Sequence, residues 1–483
     1  MNDTARRVVV LVVLALFVAG GIALSQDESE GTRAMPAAHQ PIDGPVISPE
    51  RAVSASWYCA EGTSSVDGRA NETVIVGNLE PHEIDIATTV MPGRDLEMKT
   101  QRVRLRAFEQ RRIEIDDVLR APELGVVVET FGGRAVVEHE VEGFDDVAVG
   151  PCARTAARQW FFAEGSTERG TEDWLALFNP FDTDAIVDVT LLTEDGTEAP
   201  EAVQALVVPR RSRVSVALHD LAQRQLQVGL AIRARSGHVV AERTERFDGS
   251  DTRKGIALAL GATAGAPRWR LPAGDAQDGV AASVSIANFT RRTTQVEVGL
   301  RLDGGSSPLP ETVAVRRNAV VRVDVGAKVP TGTGYSVEVS SKDGTPIVVG
   351  SFGAWATPAP VTGVATTGAS ATTATQWAFA VGRLTDDGDA VVSALNVGDA
   401  PITVQLYAYT SGDPDSPASA PARAVPAGER AVLSLGEHGI RPDQVIVIGA
   451  DGPIVVGREI VGPGASMAPG VPFPGSAGRR RPG

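Results

Sequence analysis

The feature that most constrains this chain is an internal repetition with a period of just over one hundred residues. Four tryptophans open similar stretches: Trp57 in WYCAEG, Trp160 in WFFAEG, Trp269 in WRLPAG and Trp377 in WAFAVG, separated by 103, 109 and 108 residues. The phase is held inside each unit. Ile84, Val187, Val296 and Val404 all follow their tryptophan by 27 residues. Each begins an alternating run, such as VDVTLL or VQLYAY, of the period-two kind that marks a half-buried strand. Further on, two apolar runs flank a glycine (Gly132, Gly237, Gly344, Gly452). Gly after Gly, Ser or Asp suits a positive-φ turn position, so each pair of runs reads as a β-hairpin.

The second unit contains seven short strand-like runs: WFFAE, WLALFN, IVDVTLL, ALVVP, RVSVALH, GLAIRAR and VVAERTERF. Seven strands in about one hundred residues, with nothing that demands a long helix, point to an antiparallel β-sandwich of immunoglobulin-like type. A β-propeller is the alternative, but its blades of about 40–50 residues would require two per repeat. The fold class expected is therefore all-β, with four tandem sandwiches at 51–156, 157–266, 267–372 and 373–462. Stretches rich in Ala, Thr, Gly and Pro, Gly261–Pro267 and Thr357–Thr375, read as linkers between them.

Ahead of the repeats, Arg6 and Arg7 precede an apolar segment, Val8 to Leu24, the pattern of a secretory signal or signal anchor over residues 1–25. Small residues at Ala23 and Ser25 offer a cleavage site, so both fates stay open. Either way the arginines place everything downstream outside the cytoplasm. Residues 26–50 are acidic and Pro-containing and read as a disordered spacer. Residues 463–483, ending in Arg479-Arg480-Arg481, read as a disordered tail. The net charge of −15 excludes a general nucleic-acid binder, which needs a basic face.

The recurring positions have structural explanations. The tryptophans Trp57, Trp160, Trp269 and Trp377 anchor a first strand over the core. Asn78, Asn179, Asn288 and Asn396 close the second strand, where Asn can hydrogen-bond its own backbone in a turn. Arginines precede or open the fifth strand (Arg111-Arg112, Arg210-Arg211, Arg316-Arg317, and Arg430 after Glu429), protecting a strand end from edge pairing. A cationic ladder for an anionic envelope polymer is the alternative. Cys59, in the opening strand, and Cys152, just past the last strand of the same unit, are expected to form a disulfide in an oxidising exterior.

No catalytic signature emerges. The six histidines lack metal-ligand spacing, His139-Glu140 lacks the second His of a zinc helix, and no GxSxG, P-loop or SxxK motif is present. Asp386, Asp387 and Asp389 form an acidic loop that reads as solvated rather than as a calcium site. No cofactor and no metal are expected. WFFAEG followed by WLALFNPF resembles an uncharacterised family of actinobacterial secreted or membrane-anchored proteins, a domain of unknown function. The resemblance covers Trp57 to about Val461 and implies location and repeat architecture, with no functional residues. The expectation is an extracytoplasmic, membrane-tethered rod of four sandwiches, not an enzyme, that binds or scaffolds envelope protein or glycan. A secreted carbohydrate-binding protein or an envelope hydrolase without a local motif are the alternatives.

Overall fold

In the first unit the alternating runs become eight antiparallel strands in two sheets. Ser54–Cys59, Gly125–Phe131, Ile84–Met91 and Lys99–Leu105 lie side by side in that order. Gln110–Glu114, Asn71–Asn78, Ala135–Gly143 and Asp146–Pro151 form the facing sheet. The computed structural model describes residues 44–474 apart from 66–69, 94–95, 144–145, 273, 358, 360, 386–387 and 463. Along these residues the same strand order recurs in the second, third and fourth units. In the fourth, Val445–Val461 is one continuous strand that serves both sheets. The all-β sandwich read from the periodicity is thus the observed fold. The segment Val8–Leu24 lies outside the described residues, and among those described no helix is long and apolar enough to cross a membrane.

Three sequence expectations are corrected. The two apolar runs around each glycine do not form a hairpin. Gly125–Phe131 pairs with Ser54–Cys59 and Ile84–Met91, while Ala135–Gly143 pairs with strands of the other sheet. The turn at Gly132 (φ 85°) therefore carries the chain from one sheet to the other, which departs from the immunoglobulin order. The physical reason is burial. Each run is buried along most of its length, as a strand flanked on both edges and covered on its inner face must be.

The stretches read as linkers are also part of the fold. Gly363–Gly368 is a strand paired with Val348–Trp355, and Ala262 and Ala266 form bridges to Phe161 and Ile347. Nor do the sandwiches end at 462 or begin at 51. Ala465–Pro469 pairs with Val445–Val461, and Val471–Pro472 pairs with Ala374–Phe379. Ile47 is buried and donates its N–H to the Pro472 carbonyl at 2.9 Å.

The third correction concerns assembly. A rod would leave the first and last units far apart, but here they meet. Val149 donates its N–H to Ser466 Oγ at 2.9 Å, Phe108 stacks on Tyr409 at 4.1 Å, and one apolar cluster runs through both units. Units one and two, two and three, and three and four are joined in the same way, so the four sandwiches close into a ring. At its centre stand the closing strands of all four: Asp146–Pro151, Lys254–Leu260, Gly363–Gly368 and Ala465–Pro469. Each is paired on one side only within its own sheet. Ring closure covers four edges that would otherwise be open to association.

Candidate functional site

The axis of the ring is marked by one carboxylate. Asp146 is 4% exposed and accepts backbone N–H groups from every unit: Val147 at 2.8 Å, Ile256 at 3.0 Å, Ala465 at 3.2 Å, and Val364. Its counterparts in the other closing strands are Gly255, Gly363 and Gly464, and a Cβ on Gly255 or Gly464 would overlap the carboxylate. One side chain fills the space left by Gly255 and Gly464, while a Cβ on Gly363 would instead meet the Ala465 backbone at 2.6 Å. Burial pushes the Asp146 carboxyl up to about 7, against the four amides that favour the anion.

Toward the far ends of the same strands the axis opens into a cavity of about 80 Å³. All four units contribute. The floor is aromatic and aliphatic (Phe161, Phe162, Trp269, Trp377, Leu258, Met467), and at Gly368 a Cβ would meet only open space. Gly44 and Pro45 sit at its rim, held there by Arg154, which donates to the Val46 carbonyl at 3.2 Å and to Ser48 Oγ at 3.0 Å. Glu164 lines the wall. It is 4% exposed and bonded to Ser285, but its Oε2 is buried without a hydrogen-bond partner. Burial raises its carboxyl above the usual range, against the nearby Arg322 and Arg243.

The joints between units carry most of the buried charge. Between units one and two, Glu242 accepts the N–H groups of Ala60 at 2.9 Å and Glu61 at 2.6 Å. His139 stands between Glu242 (3.5 Å) and Glu72 (3.1 Å), and Arg213 reaches Glu61 at 2.9 Å. Burial raises Glu242 to about 7. For His139 burial acts downward, but the two glutamates outweigh it and lift the ring to about 9. The joint between units four and one repeats this plan. Glu138 accepts the Val381 N–H at 2.8 Å and two bonds from Arg458 at 2.9 and 3.1 Å.

Inside unit two, beside its joint with unit three, Arg243 is fully buried against Asp173 (2.8 Å). Glu245, raised by burial to about 7, accepts from Ser166 N at 2.7 Å and from Thr366 Oγ1 at 3.1 Å. Between units three and four, Arg430 holds Asp303 at 2.8 Å and the Pro272 carbonyl at 3.0 Å. Arg213–Glu61, Arg458–Glu138 and Arg430–Asp303 pair across joints, while His139–Glu72 and Arg243–Asp173 pair within one unit. They build the ring and leave no free acid–base pair facing the cavity among the described residues.

Of the residues singled out from sequence, Trp269 and Trp377 line the axial cavity, and the others lie elsewhere. Trp57, Trp160, Trp269 and Trp377 are buried, with Trp160, Trp269 and Trp377 donating to the carbonyls of Val239, Ile347 and Ile454. Asn78, Asn179, Asn288 and Asn396 make one repeated clamp. In Asn179 the amide donates to the Thr183 and Val208 carbonyls, and Oδ1 accepts the Phe181 N–H. The other three do the same with their own loops.

Cys59 and Cys152 are disulfide-bonded, spanning 93 residues. His139 lies within ligand distance of both sulfurs, but the sulfurs are bonded to each other and its nitrogens face Glu72 and Glu242. Arg111, Arg112, Arg211 and Arg430 each hold a carboxylate. Asp389 accepts from Ser434 Oγ and Gly436 N, while Asp386 and Asp387 lie outside the described residues. Sequence reasoning missed Asp146, Glu164 and the axial glycines. The available signal was the register DVAV, GIAL, GVAT, GASM, one Asp against three Gly.

No curated protein matches the chain. Among solved structures it is similar to Thermotoga maritima 1070 (17% identity, 22% of this chain and 94% of that one, TM-score 0.20). It is also similar to a Streptomyces avermitilis α-L-rhamnosidase complexed with L-rhamnose (9%, 77% and 53%, 0.14) and to a tetra-tandem repeat from the extending region of a large adhesion protein (12%, 86% and 99%, 0.11). The model of a family of unknown function matches residues 134–421, more than half of the sequence and parts of all four units: the chain belongs to that family, DUF5719.

Proposed function

We propose that this protein is an extracytoplasmic, non-enzymatic binding protein of the cell envelope, tethered through its N-terminal apolar segment or released by cleavage there. The observation that carries the binding role is the axial cavity, which no single sandwich could form and which contains glycines where strands would ordinarily fill the space. Location is supported by Arg6-Arg7 ahead of Val8–Leu24, by the Cys59–Cys152 disulfide, which an oxidising compartment maintains, and by the resemblance to secreted and anchored proteins. On this reading the ring is a rigid frame and the buried ion pairs are its fastenings.

The test has two parts. An epitope placed after Gly478 in the full chain should be cleaved by protease added to cells whose cytoplasmic membrane is intact. Protein isolated from its own envelope should release, on denaturation, a small molecule near one per chain by mass spectrometry. A protected epitope would remove the location, and material that carries nothing would remove the binding role.

A further inference from the structure

We infer that the frame opens at one joint, between units three and four, and that the axial cavity is reached there while the other three joints stay shut. This rests on the binding role proposed above and names the way into its site. All four joints bring the same strands together, and one register compares their fastenings. Ile75 with Glu138, Ala176 with Glu242, Ser285 with Gly350 and Ser393 with Gly457 are directly paired residues at equivalent places. Around the ring, each pair faces the chain just after the preceding unit's tryptophan. At two joints a carboxylate meets backbone amides there: Glu242 takes the Ala60 and Glu61 N–H groups, and Glu138 takes that of Val381. Between units two and three the sides are exchanged. Gly350 makes room for Glu164, which bonds to Ser285, and Gln227 donates to Ser285 Oγ at 2.6 Å. Between units three and four neither half is present. Gly457 brings no carboxylate, and Pro272, which stands where unit one has Ala60, has no N–H to donate.

Apolar packing follows the same division. Ala60, Met91 and Val127 of unit one belong to the core of unit two, and Phe161, Ala163 and Ala231 of unit two to that of unit three. Units four and one share a core. Among the described residues, the cluster that joins units three and four is small: Trp355, Ala365 and Ala465, beside the axis. Away from the axis the fastening is Arg430, which crosses to Asp303 at 2.8 Å and to the Pro272 and Gly274 carbonyls at 3.0 and 2.9 Å. The Asp303 side chain is 41% exposed, so water competes for this pair. Next to it, Leu271, Pro272, Val456 and Gly457 border a hollow of about 20 Å³. Thr367 and Met467 line both that hollow and the axial cavity. Few buried apolar contacts and a fastening that water reaches make this joint the first to open.

The experiment is the rate of N-ethylmaleimide labelling, at pH 7 under native conditions, of single cysteines placed in the full chain, whose own two are disulfide-bonded. Ser393→Cys and Ser285→Cys are a matched pair at equivalent positions, 1% and 0% exposed, one at the opening joint and one at its neighbour. Ser393→Cys should react at least tenfold faster. Arg430→Met, which keeps an aliphatic stem, should accelerate labelling of Ser393→Cys and of Thr367→Cys at least threefold and leave Ser285→Cys unchanged. The sign is diagnostic. A cation beside a thiol promotes the reactive thiolate, so loss of Arg430 without opening would slow the reaction at Ser393→Cys.

Equal rates at Ser393→Cys and Ser285→Cys would overturn the opening joint, a comparison that stands even if Arg430→Met fails to fold. Labelling of Ser393→Cys that is unchanged or slower with Arg430→Met would overturn it too. Acceleration at Ser393→Cys without acceleration at Thr367→Cys would overturn the joint as the way into the cavity. No ligand enters these measurements, so the isolation experiment above separately decides whether the cavity carries anything.

Discussion

The Cys59–Cys152 pair has counterparts that show what its position demands. Bridges from Tyr58 to Ala153, Phe161 to Ala262 and Arg270 to Ser370, with the pairing of Ala378 and Val471, fix the correspondence. Where unit one has Cys59 and Cys152, unit two has Phe162 and Gly261, unit three Leu271 and Ala369, and unit four Phe379 and Gly470. The pairs conserve volume rather than chemistry. A Cβ on Gly261 would come within 2.8 Å of the Phe162 ring, so a large residue on the opening strand requires a bare one opposite. Gly261→Ala should therefore destabilise the protein by about 1–3 kcal/mol. Adding Phe162→Leu, which recreates the Leu/Ala pair of unit three, should recover most of that loss in a urea titration. A double variant no more stable than Gly261→Ala would refute the packing argument. The disulfide itself was legible from cysteine count and position. The asparagines were legible only as turn residues, because their reach to a distant carbonyl, as from Asn179 to Val208, 29 residues away, depends on tertiary structure.

The closing strands are the elements that the sequence concealed. Periodicity identified the strands that carry Val, Ile and Leu, but GVATTG and ASMAP are made of small residues with weak strand preference and fall in stretches that read as linker and tail. Their composition follows from their place. Four edge strands can meet on one axis only if the facing positions are small, and at the level of Asp146 the other three are glycine. Gly464 is the informative case, because its backbone is not in the left-handed region and only space constrains it. A Cβ there would lie 1.5 Å from Asp146 Oδ1, on a short side chain held by four amides that cannot swing away. Gly464→Ala should cost at least about 2 kcal/mol in the native background. In an Asp146→Gly background the cost should fall by about 1 kcal/mol or more, although Asp146→Gly is itself destabilising because it orphans those amides. Costs that add within about 0.5 kcal/mol would show that the two positions do not share the axis.

At the scale of the whole molecule, closure makes the four sandwiches one thermodynamic object, and a tandem reading of the sequence had no means to anticipate it. Periodicity reports contacts within a unit, whereas closure depends on single residues that differ between units, such as Glu138, Glu242, Gly350 and Gly457 at one register. The buried acids tie this closure to pH. Asp146 on the axis, Glu242 at the first joint and Glu245 at the second are each raised to about 7, so in the folded ring they hold protons that the unfolded chain releases near pH 4. Between about pH 4.5 and 7 the native state binds more protons than the unfolded state, and stability falls as pH rises through that window. His139, raised to about 9, acts in the same direction. Its contribution is complete below the ordinary histidine value and is lost as pH climbs toward 9. Asp343, lowered to about 2, opposes this trend only below pH 4. Scanning calorimetry of the full chain should accordingly show one cooperative transition for the ring, with a midpoint higher at pH 5 than at pH 8. Glu242→Gln, which stays uncharged throughout, should flatten that difference. Four separable transitions would mean that the joints do not couple the units. A midpoint that rises from pH 5 to pH 8 would mean that these carboxyls are ionised in the native state, with the joints stabilised as ion pairs.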